Sequence, residues 1–569
     1  MPIPVRRSAF GLLVLSLWLA VCGCNSQTAG VSPPSQSNGV DTAAVSAQLH
    51  EIAASGKLAD LHWPDFSDYR LHFEHIYDAS NFAPVWLHDG KPTSQALAVI
   101  QALEASQQKG LNPDDYDASH WPERVQALNG SPTSDTLARF DAALTVGVMR
   151  YISDLHIGRV NPKQFNFGID IEQKKYDLPQ FVSTRVINAT NVQAVLDGVE
   201  PVYNGYRRTE DALHRYQQLA AEGDGPAVPD VTKTIAPGDA YAGISQLTQR
   251  LRLLGDLHAD TVVDTNASTY TGPLVDGVKT FQSRHGLSVN GKIDKATISQ
   301  LNTPLATRVN QLQDALERWR WLPPQFPQPP VVANIPEFIL RAFGPDQKVA
   351  LEMNVVVGRA LRTQTPVFAK DMKYIVFRPY WNVPTSILRG EIIPGIARDR
   401  SYVIKKNFEV TDYSGKVITD DVVSDAVLAQ LRAGKLTVRQ KPGPKNSLGL
   451  VKFLFPNEYN VYLHSTPAPQ LFSQSRRDFS HGCVRVEKPA ELAAYLLRNQ
   501  PPWTLENVQA AMQSGRDNQQ VNLVTPVPVL ILYVTAVVEE DGTVHFFNDI
   551  YGYDKKLEDV LAKGEPYPG

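Results

Sequence analysis

Between residues 46 and 222 apolar residues recur at spacings of three and four, as in 96–108 and 137–152, and predict a helical domain. Gly110-Leu111-Asn112-Pro113 reads as a helix stop and turn within it. Residues 223–239 are rich in Gly, Pro and Ala and read as a linker. A shorter helical pattern then fills 240–303. Ile244, Leu247, Leu251 and Leu254 form one face and stop at Gly255. Leu274, Val278 and Phe281 form a second face, stopped at His285-Gly286, and Asn290-Gly291 predicts a turn. Asp294 predicts the cap of a third helix bearing Ile298 and Leu301. Thr303-Pro304 opens another helix, with Leu305, Val309, Leu312, Leu316 and Trp319 on one face. A proline-rich stretch ends it, so 304–330 reads as a connecting helix and linker.

From residue 331 the pattern changes to strands. Runs rich in β-branched and aromatic residues cover 331–335, 338–343, 350–357, 374–377, 451–455 and 461–464. Helical patterns are few, at 422–431 and 489–498. Two late runs, 529–539 and 543–548, flank the hairpin signal Asp541-Gly542. The expected fold is multi-domain α+β: a helical scaffold domain (46–222), a three-helix module (240–303) and a mainly β domain (331–500), with 501–569 packing on the last. Residues 389–440 interrupt the strands with polar helix and loop character and read as an insertion in the β domain.

A hydrophobic content of 43% and a charged content of 20% describe a globular chain, and a net charge of −4 gives no support to nucleic-acid binding. The start of the chain is patterned differently. Arg6 and Arg7 precede an apolar run at 10–21 that is too short to span a bilayer comfortably, which predicts a signal peptide over 1–23. The string Val21-Cys22-Gly23-Cys24-Asn25 resembles a bacterial lipobox and points to lipidation at Cys24; a simple secretory signal is the alternative. By the same resemblance, Asn25 points to the outer membrane of a Gram-negative cell, on its periplasmic side. Residues 24–45 read as a flexible tether.

Three cysteines occur, and Cys483 is the one outside the first two dozen residues. A thiol attacks as the thiolate, so a working cysteine needs a base or cation close by. His481 is two residues before it and His464 nineteen. His464 ends the apolar run Val461-Tyr462-Leu463, and a loop back from that strand end would set Cys483 beside it, which favours His464 as the base. Gly482 permits close approach of backbone to substrate, and N–H groups from His481 to Cys483 are candidates for an oxyanion hole. The competing view is a buried, inert cysteine with two solvated histidines.

The string Ser480-His481-Gly482-Cys483-Val484-Arg485, with His464 on a short strand upstream, resembles the signature of the L,D-transpeptidases, the YkuD-type cell-wall enzymes. Thr365-Pro366-Val367-Phe368, Tyr380-Trp381-Asn382-Val383-Pro384 and Pro442-Gly443-Pro444-Lys445-Asn446 resemble the multi-domain YcbB-like branch. Phe82-Ala83-Pro84-Val85-Trp86-Leu87 resembles the scaffold domain of that branch. Residues 278–297 resemble a three-helix peptidoglycan-binding module; a generic helical spacer is the alternative.

The resemblance implies a β-sandwich-like catalytic domain, with 389–440 as a capping insertion. It implies a cysteine thioester formed by Cys483 on a peptidoglycan tetrapeptide stem, loss of D-alanine, and a diaminopimelate–diaminopimelate cross-link. His464 would move the proton, the Ser465 carbonyl would orient His464, and the His481 and Gly482 N–H groups would serve the oxyanion. Arg485 would hold a substrate carboxylate, with an ion pair to Glu487 as the alternative. Tyr462, Trp381 and Asn382 would line the pocket. The expected partners are peptidoglycan stem peptides as donor and acceptor, a membrane through the lipid anchor, and other cell-wall synthases; nucleic acid is not among them. No cofactor and no metal is expected: His258 and His285 lack further ligand spacing. Hydrolysis to a tripeptide, or transfer of the stem to a protein lysine, would use the same thioester. A decayed, non-catalytic wall-binding lipoprotein is the reading from another class.

Overall fold

The computed structural model describes residues 41–564. The predicted signal peptide, Cys24 and most of the tether lie outside the described residues. A helix begins at Thr42, inside the stretch read as tether, because the Asp41 carboxylate caps the Ala44 N–H at 3.1 Å. Among the described residues no helix is long and apolar enough to cross a membrane.

The scaffold is built on the helix Ser134–Ile157, capped by the Thr133 hydroxyl and buried along most of its length. Asp141 on this helix is fully buried and accepts hydrogen bonds from the Tyr77 hydroxyl (2.5 Å) and the backbone N–H groups of Val85 (3.0 Å) and Trp86 (2.8 Å). It thereby anchors the turn leading into a small hairpin, β1 (Leu87–His88) and β2 (Lys91–Pro92). Burial lifts its carboxyl to about 6.

The module consists of the helices Ile244–Leu254, Pro273–Arg284 and Lys295–Leu301 around a core of Leu247, Leu251, Val278, Phe281 and Ile298. The linker expectation for 223–239 needs correction. Val228, Val231 and Ile235 are buried in this core, and Ile235 pairs with Ile293. Three short helices bury too little apolar surface on their own, and the preceding segment supplies the rest. His285 is fully buried, with Nδ1 2.7 Å from the Phe281 carbonyl and its ring stacked on Phe281.

The helix Leu305–Arg320 is the hub. Leu305, Leu312 and Leu316 pack against the helix Asn204–Glu222 and against the late hairpin described below. Its buried charges tie distant segments to it. Glu317 accepts from the N–H groups of Arg159 (2.7 Å) and Val160 (3.1 Å), and Arg318 pairs with Asp554 at 2.6 Å.

The β-rich region is a sheet built from β3 (Val331–Asn334), β4 (Ile339–Phe343), β5 (Val349–Gly358), β6 (Phe368–Phe377), β11 (Val451–Leu454), β12 (Leu463–His464), β13 (Asp478–Ser480), β14 (Val484–Val486) and β15 (Gln519–Leu532). The skipped numbers belong to an inserted sheet of β7 (Trp381–Asn382), β8 (Phe408–Thr411), β9 (Val417–Thr419) and β10 (Thr437–Gln440). The main order is β13-β5-β14-β12-β11-β6-β15-β3-β4, and β4 also pairs with β5. The sandwich-like expectation therefore takes the form of a sheet that closes on itself. Its core includes Leu340, Met353, Val355, Phe377, Phe453, Leu463, Val484 and Ile531, with Leu492, Leu497 and Val508 from two following helices.

Two expectations are revised here. The segment 501–569 does not merely pack on the catalytic domain: β15 lies inside its sheet, antiparallel to β6 and parallel to β3. The final hairpin, β16 (Ala536–Val538) and β17 (Val544–Phe546), packs instead on the hub helix. It also receives the module, since Arg284 donates to the Val544 carbonyl at 2.6 Å while paired with Asp256 at 2.5 Å. The insertion is not helix and loop alone. Its strands β8, β9 and β10 form an antiparallel sheet with β7 (order β7-β10-β8-β9), and its core includes Ile396, Val403, Val410, Leu431 and Val438 together with Leu388, so the subdomain begins before residue 389, near Trp381. Its strands span only two to four residues, too short for alternation to stand out in the sequence.

Candidate active site

The site is assembled by the parallel pairing of β12 and β14, with Leu463 opposite Val484 and His464 opposite Arg485. Leu463 and Val484 are fully buried in the core. Strand alternation then turns Tyr462, His464, Cys483 and Arg485 to the other face, side by side. Cys483 is half-buried. Its Sγ lies 3.8 Å from the Asn460 carbonyl, on a turn organised by Asn457, whose Nδ2 donates to the Phe455 (2.6 Å) and Val461 (2.7 Å) carbonyls. Among the described residues no hydrogen bond joins the thiol to His464; the two are diagonal neighbours on one face.

His464 is buried, and its Nδ1 lies 2.5 Å from the Ser465 carbonyl. Ser465 is itself held by donation of its N–H to the Val451 carbonyl at 2.9 Å. Gly449, at φ +64°, leaves room for the Ser465 side chain: a Cβ there would stand 2.5 Å from Ser465 Oγ. Burial, then the Arg485 charge, push the imidazole down to about 3. Burial also pushes the Cys483 thiol up, against the Tyr462 backbone and hydroxyl and the Arg485 charge. The resting pair at neutral pH is thus a thiol and a neutral imidazole, not a thiolate and an imidazolium.

The turn carrying Cys483 is fixed from below. Gly482 has φ +118°, a conformation that favours glycine. The buried Thr365 hydroxyl donates to the Gly482 carbonyl (2.7 Å) and accepts from the Gly358 N–H (2.8 Å). Tyr551 donates to the Gly358 carbonyl at 2.5 Å. Ser480 Oγ donates to the Cys483 carbonyl (2.6 Å) and accepts from the Gly482 N–H (3.1 Å). That last bond corrects one expectation: the Gly482 N–H is occupied by Ser480, so it is not a waiting oxyanion donor. A buried hydroxyl two residues away offers that donor the partner it would otherwise lack.

The remaining expected residues are placed as follows. The His481 side chain leans toward the insertion, with Nε2 2.7 Å from Glu391 Oε1. Arg485 does not pair with Glu487, whose carboxylate accepts from the backbone (3.1 Å) and side chain (3.0 Å) of Asn354. Trp381 packs in the insertion, 6.2 Å from the Phe408 ring, and Asn382 is exposed on β7 opposite Arg439. Tyr462 stands beside His464, with ring centroids 5.8 Å apart. Sequence patterning gives no signal for Asn457 or Glu391, whereas Thr365 and Ser480 lie within the strings Thr365–Phe368 and Ser480–Arg485.

Comparison with known proteins divides the chain in the same places. Residues 329–529 match the family model for the L,D-transpeptidase catalytic domain. Residues 72–213 match a scaffold domain, and residues 241–301 a model described as "Putative peptidoglycan binding domain". A relative from Haemophilus influenzae, described as "Putative L,D-transpeptidase", is 33% identical over 227 residues, 40% of this chain and 45% of the relative. The match thus spans under half of that relative's length. A crystal structure of an L,D-transpeptidase from Xylanimonas cellulosilytica is 14% identical, covering 53% of this chain and all of that one, with a TM-score of 0.16, too low to support an argument.

Proposed function

We propose, for a chain whose residues 329–529 form an L,D-transpeptidase catalytic domain, that it cross-links peptidoglycan stems through a thioester on Cys483. The observation that carries this is the shared face of β12 and β14, where Cys483, Tyr462, His464 and Arg485 stand together with His464 Nδ1 on the Ser465 carbonyl. With Nδ1 protonated toward that carbonyl, the lone pair of the imidazole is on Nε2. As the donor tetrapeptide enters, the thiol proton passes to His464 and sulfur attacks the carbonyl of the third residue. The oxyanion is served by the N–H groups of His481 and Cys483. Collapse breaks the peptide bond, the imidazolium protonates the departing D-alanine amine, and the thioester remains. The side-chain amine of a second stem's diaminopimelate attacks it, gives its proton to His464 and releases the thiol. The insertion over the site keeps water from the thioester.

Membership of the YcbB-like branch, peptidoglycan binding by the module and a lipid anchor at Cys24 on the periplasmic face of the outer membrane belong to the same reading. The sequence strings and the match at 241–301 support them.

The test mixes the full chain, and Cys483→Ala beside it, with disaccharide-tetrapeptides and reads the products by mass spectrometry. Cross-linked dimers lacking one D-alanine, absent with Cys483→Ala, are expected. Tripeptides alone would replace cross-linking by hydrolysis, and unchanged substrate would overturn an enzymatic role on this substrate.

A further inference from the structure

The match to the transpeptidase domain ends at residue 529, yet the turn that carries Cys483 is supported from beyond it. The support begins with the loop that closes β5. The Arg359 N–H and the Thr363 hydroxyl both donate to the Ser480 carbonyl (3.2 and 2.9 Å), and the Thr365 hydroxyl donates to the Gly482 carbonyl (2.7 Å). Residues 358–365 thus grip the nucleophile turn on both sides of His481. The loop is closed at its neck without slack. A Cβ on Gly358 would stand 1.9 Å from the Thr363 carbonyl oxygen and 2.7 Å from the Thr365 nitrogen.

Tyr551 holds that neck at both ends. Its hydroxyl donates to the Gly358 carbonyl (2.5 Å) and accepts from the Thr365 N–H (3.2 Å), and the residue is buried. One oxygen therefore fixes the first and last residues of the loop relative to each other. Tyr553 adds a second hold near the tip: its hydroxyl donates to Gln364 Oε1 (3.1 Å), and Gln364 Nε2 donates to the Ala360 carbonyl (2.7 Å). Tyr551 is itself placed by a polar chain. Its N–H donates to the Tyr533 hydroxyl (2.8 Å), which donates to Asp549 Oδ1 (2.5 Å). Asp549 also accepts from the N–H groups of Tyr553 (2.8 Å) and Asp554 (3.1 Å), at the start of the helix Tyr553–Leu561. The residues just before it meet the module. Asn548 Oδ1 accepts from Gln300 Nε2 at 2.7 Å, and a Cβ on Gly286 would stand 3.0 Å from the Phe547 ring. Residues 547–553 therefore run from the module to the loop under the nucleophile.

We propose that Tyr551 is a positioning residue for the reaction at Cys483, clamping the 358–365 loop on which the nucleophile turn rests, and that the Gln300–Asn548 contact gives the module a share in that clamp. The clamp rests on geometry; only the reaction it serves is taken from the transpeptidase reading. The turn is bonded to the loop at both Ser480 and Gly482, so a loosened neck moves the two carbonyls together, and Cys483 with them. Attack on a carbonyl needs the sulfur aligned, and a displacement of about 1 Å costs on the order of 100-fold in rate.

Tyr551→Phe keeps the ring in its core and removes only the oxygen. Turnover of disaccharide-tetrapeptides is measured on the full chain, and iodoacetamide labelling of the Cys483 peptide is followed by mass spectrometry without substrate. Tyr551→Phe is expected to lower kcat by about tenfold with KM within about twofold, and to speed labelling by about threefold as the turn loosens. Tyr553→Phe, at a half-buried position, should move both readouts the same way by about twofold. Tyr495→Phe is the control: that hydroxyl donates to the Phe343 carbonyl at the end of β4, and its loss should leave kcat and labelling at the parent values. Asn548→Ala, at an exposed position, should speed labelling by about twofold, and Asn548→Asp, which keeps the acceptor, should restore the parent rate. An unchanged kcat in Tyr551→Phe, or an equal fall in Tyr495→Phe, overturns the positioning role. The parent labelling rate in Asn548→Ala overturns the module's share. Faster labelling in Tyr551→Phe with no turnover by the parent would keep the clamp and remove the transpeptidase reading. Equal turnover by parent and Tyr551→Phe, with labelling unchanged, would keep that reading and remove the clamp.

Discussion

Thr365→Val tests whether the nucleophile turn is held from below by one buried hydroxyl. Valine nearly matches threonine in shape, so the replacement opens no cavity and removes only the hydroxyl. Two backbone groups then lose their partner, the Gly482 carbonyl (2.7 Å) and the Gly358 N–H (2.8 Å), at a residue with no exposed surface. Each orphaned group costs about 1–3 kcal/mol, which gives about 2–4 kcal/mol once some relaxation and the gain in apolar burial are set against the sum. The chain is too large for a single unfolding free energy to be meaningful, so the readout is local. In a Cys22→Ser, Cys24→Ser background Cys483 is the only thiol of the original three, and its labelling across a urea titration reports opening of this turn. With a urea dependence of about 2 kcal/mol per molar, the labelling midpoint should fall by about 1–2 M. Labelling in the absence of urea should also accelerate as the turn loosens. A midpoint within about 0.3 M of the parent, with an unchanged native rate, would refute the buttress.

Two further outcomes are expected. Burial and Arg485 hold His464 neutral in the folded chain, down to about 3, whereas in the unfolded chain it takes a proton near pH 6.5; the stability of this sheet against local opening is therefore intact above about pH 6.5 and lost as pH falls toward 3, by up to about 4–5 kcal/mol. His464→Gln should flatten that stretch of the stability–pH curve, and an unchanged slope would show the acid lability to come from elsewhere. Glu391→Ala removes the acceptor of the His481 contact between insertion and nucleophile turn, so hydrogen exchange in 388–398 should quicken by a few fold, and identical exchange would mean that the contact does not hold the insertion down.

The face of the active site was legible because it follows from local rules. Val461-Tyr462-Leu463-His464 and Cys483-Val484-Arg485 alternate, and alternation alone puts His464 on one face with Tyr462 and Cys483 on one face with Arg485. The module's helices were legible for the same reason, from Leu247, Leu251, Val278 and Phe281. What escaped depended on partners far away in sequence. Nothing in Val228 or Ile235 reveals that a neighbouring core lacks apolar surface. Ser480 looks like an ordinary motif serine until its hydroxyl is seen on the Gly482 N–H.

The position of β15 makes closure of the sheet depend on a late segment of the chain. Its ladder with β6 and β3 brings residues 519–532 between strands that precede them by more than 140 positions in the chain. Until they arrive, β3 and β6 have no shared neighbour, and the circuit of strands stays open. A chain extended from its first residue therefore carries His464 and Cys483 before it can close the sheet that holds them. The same late part of the chain completes the hub and seats the module, since the hairpin of β16 and β17 and Asp554 pack on the helix Leu305–Arg320 and Val544 accepts from Arg284.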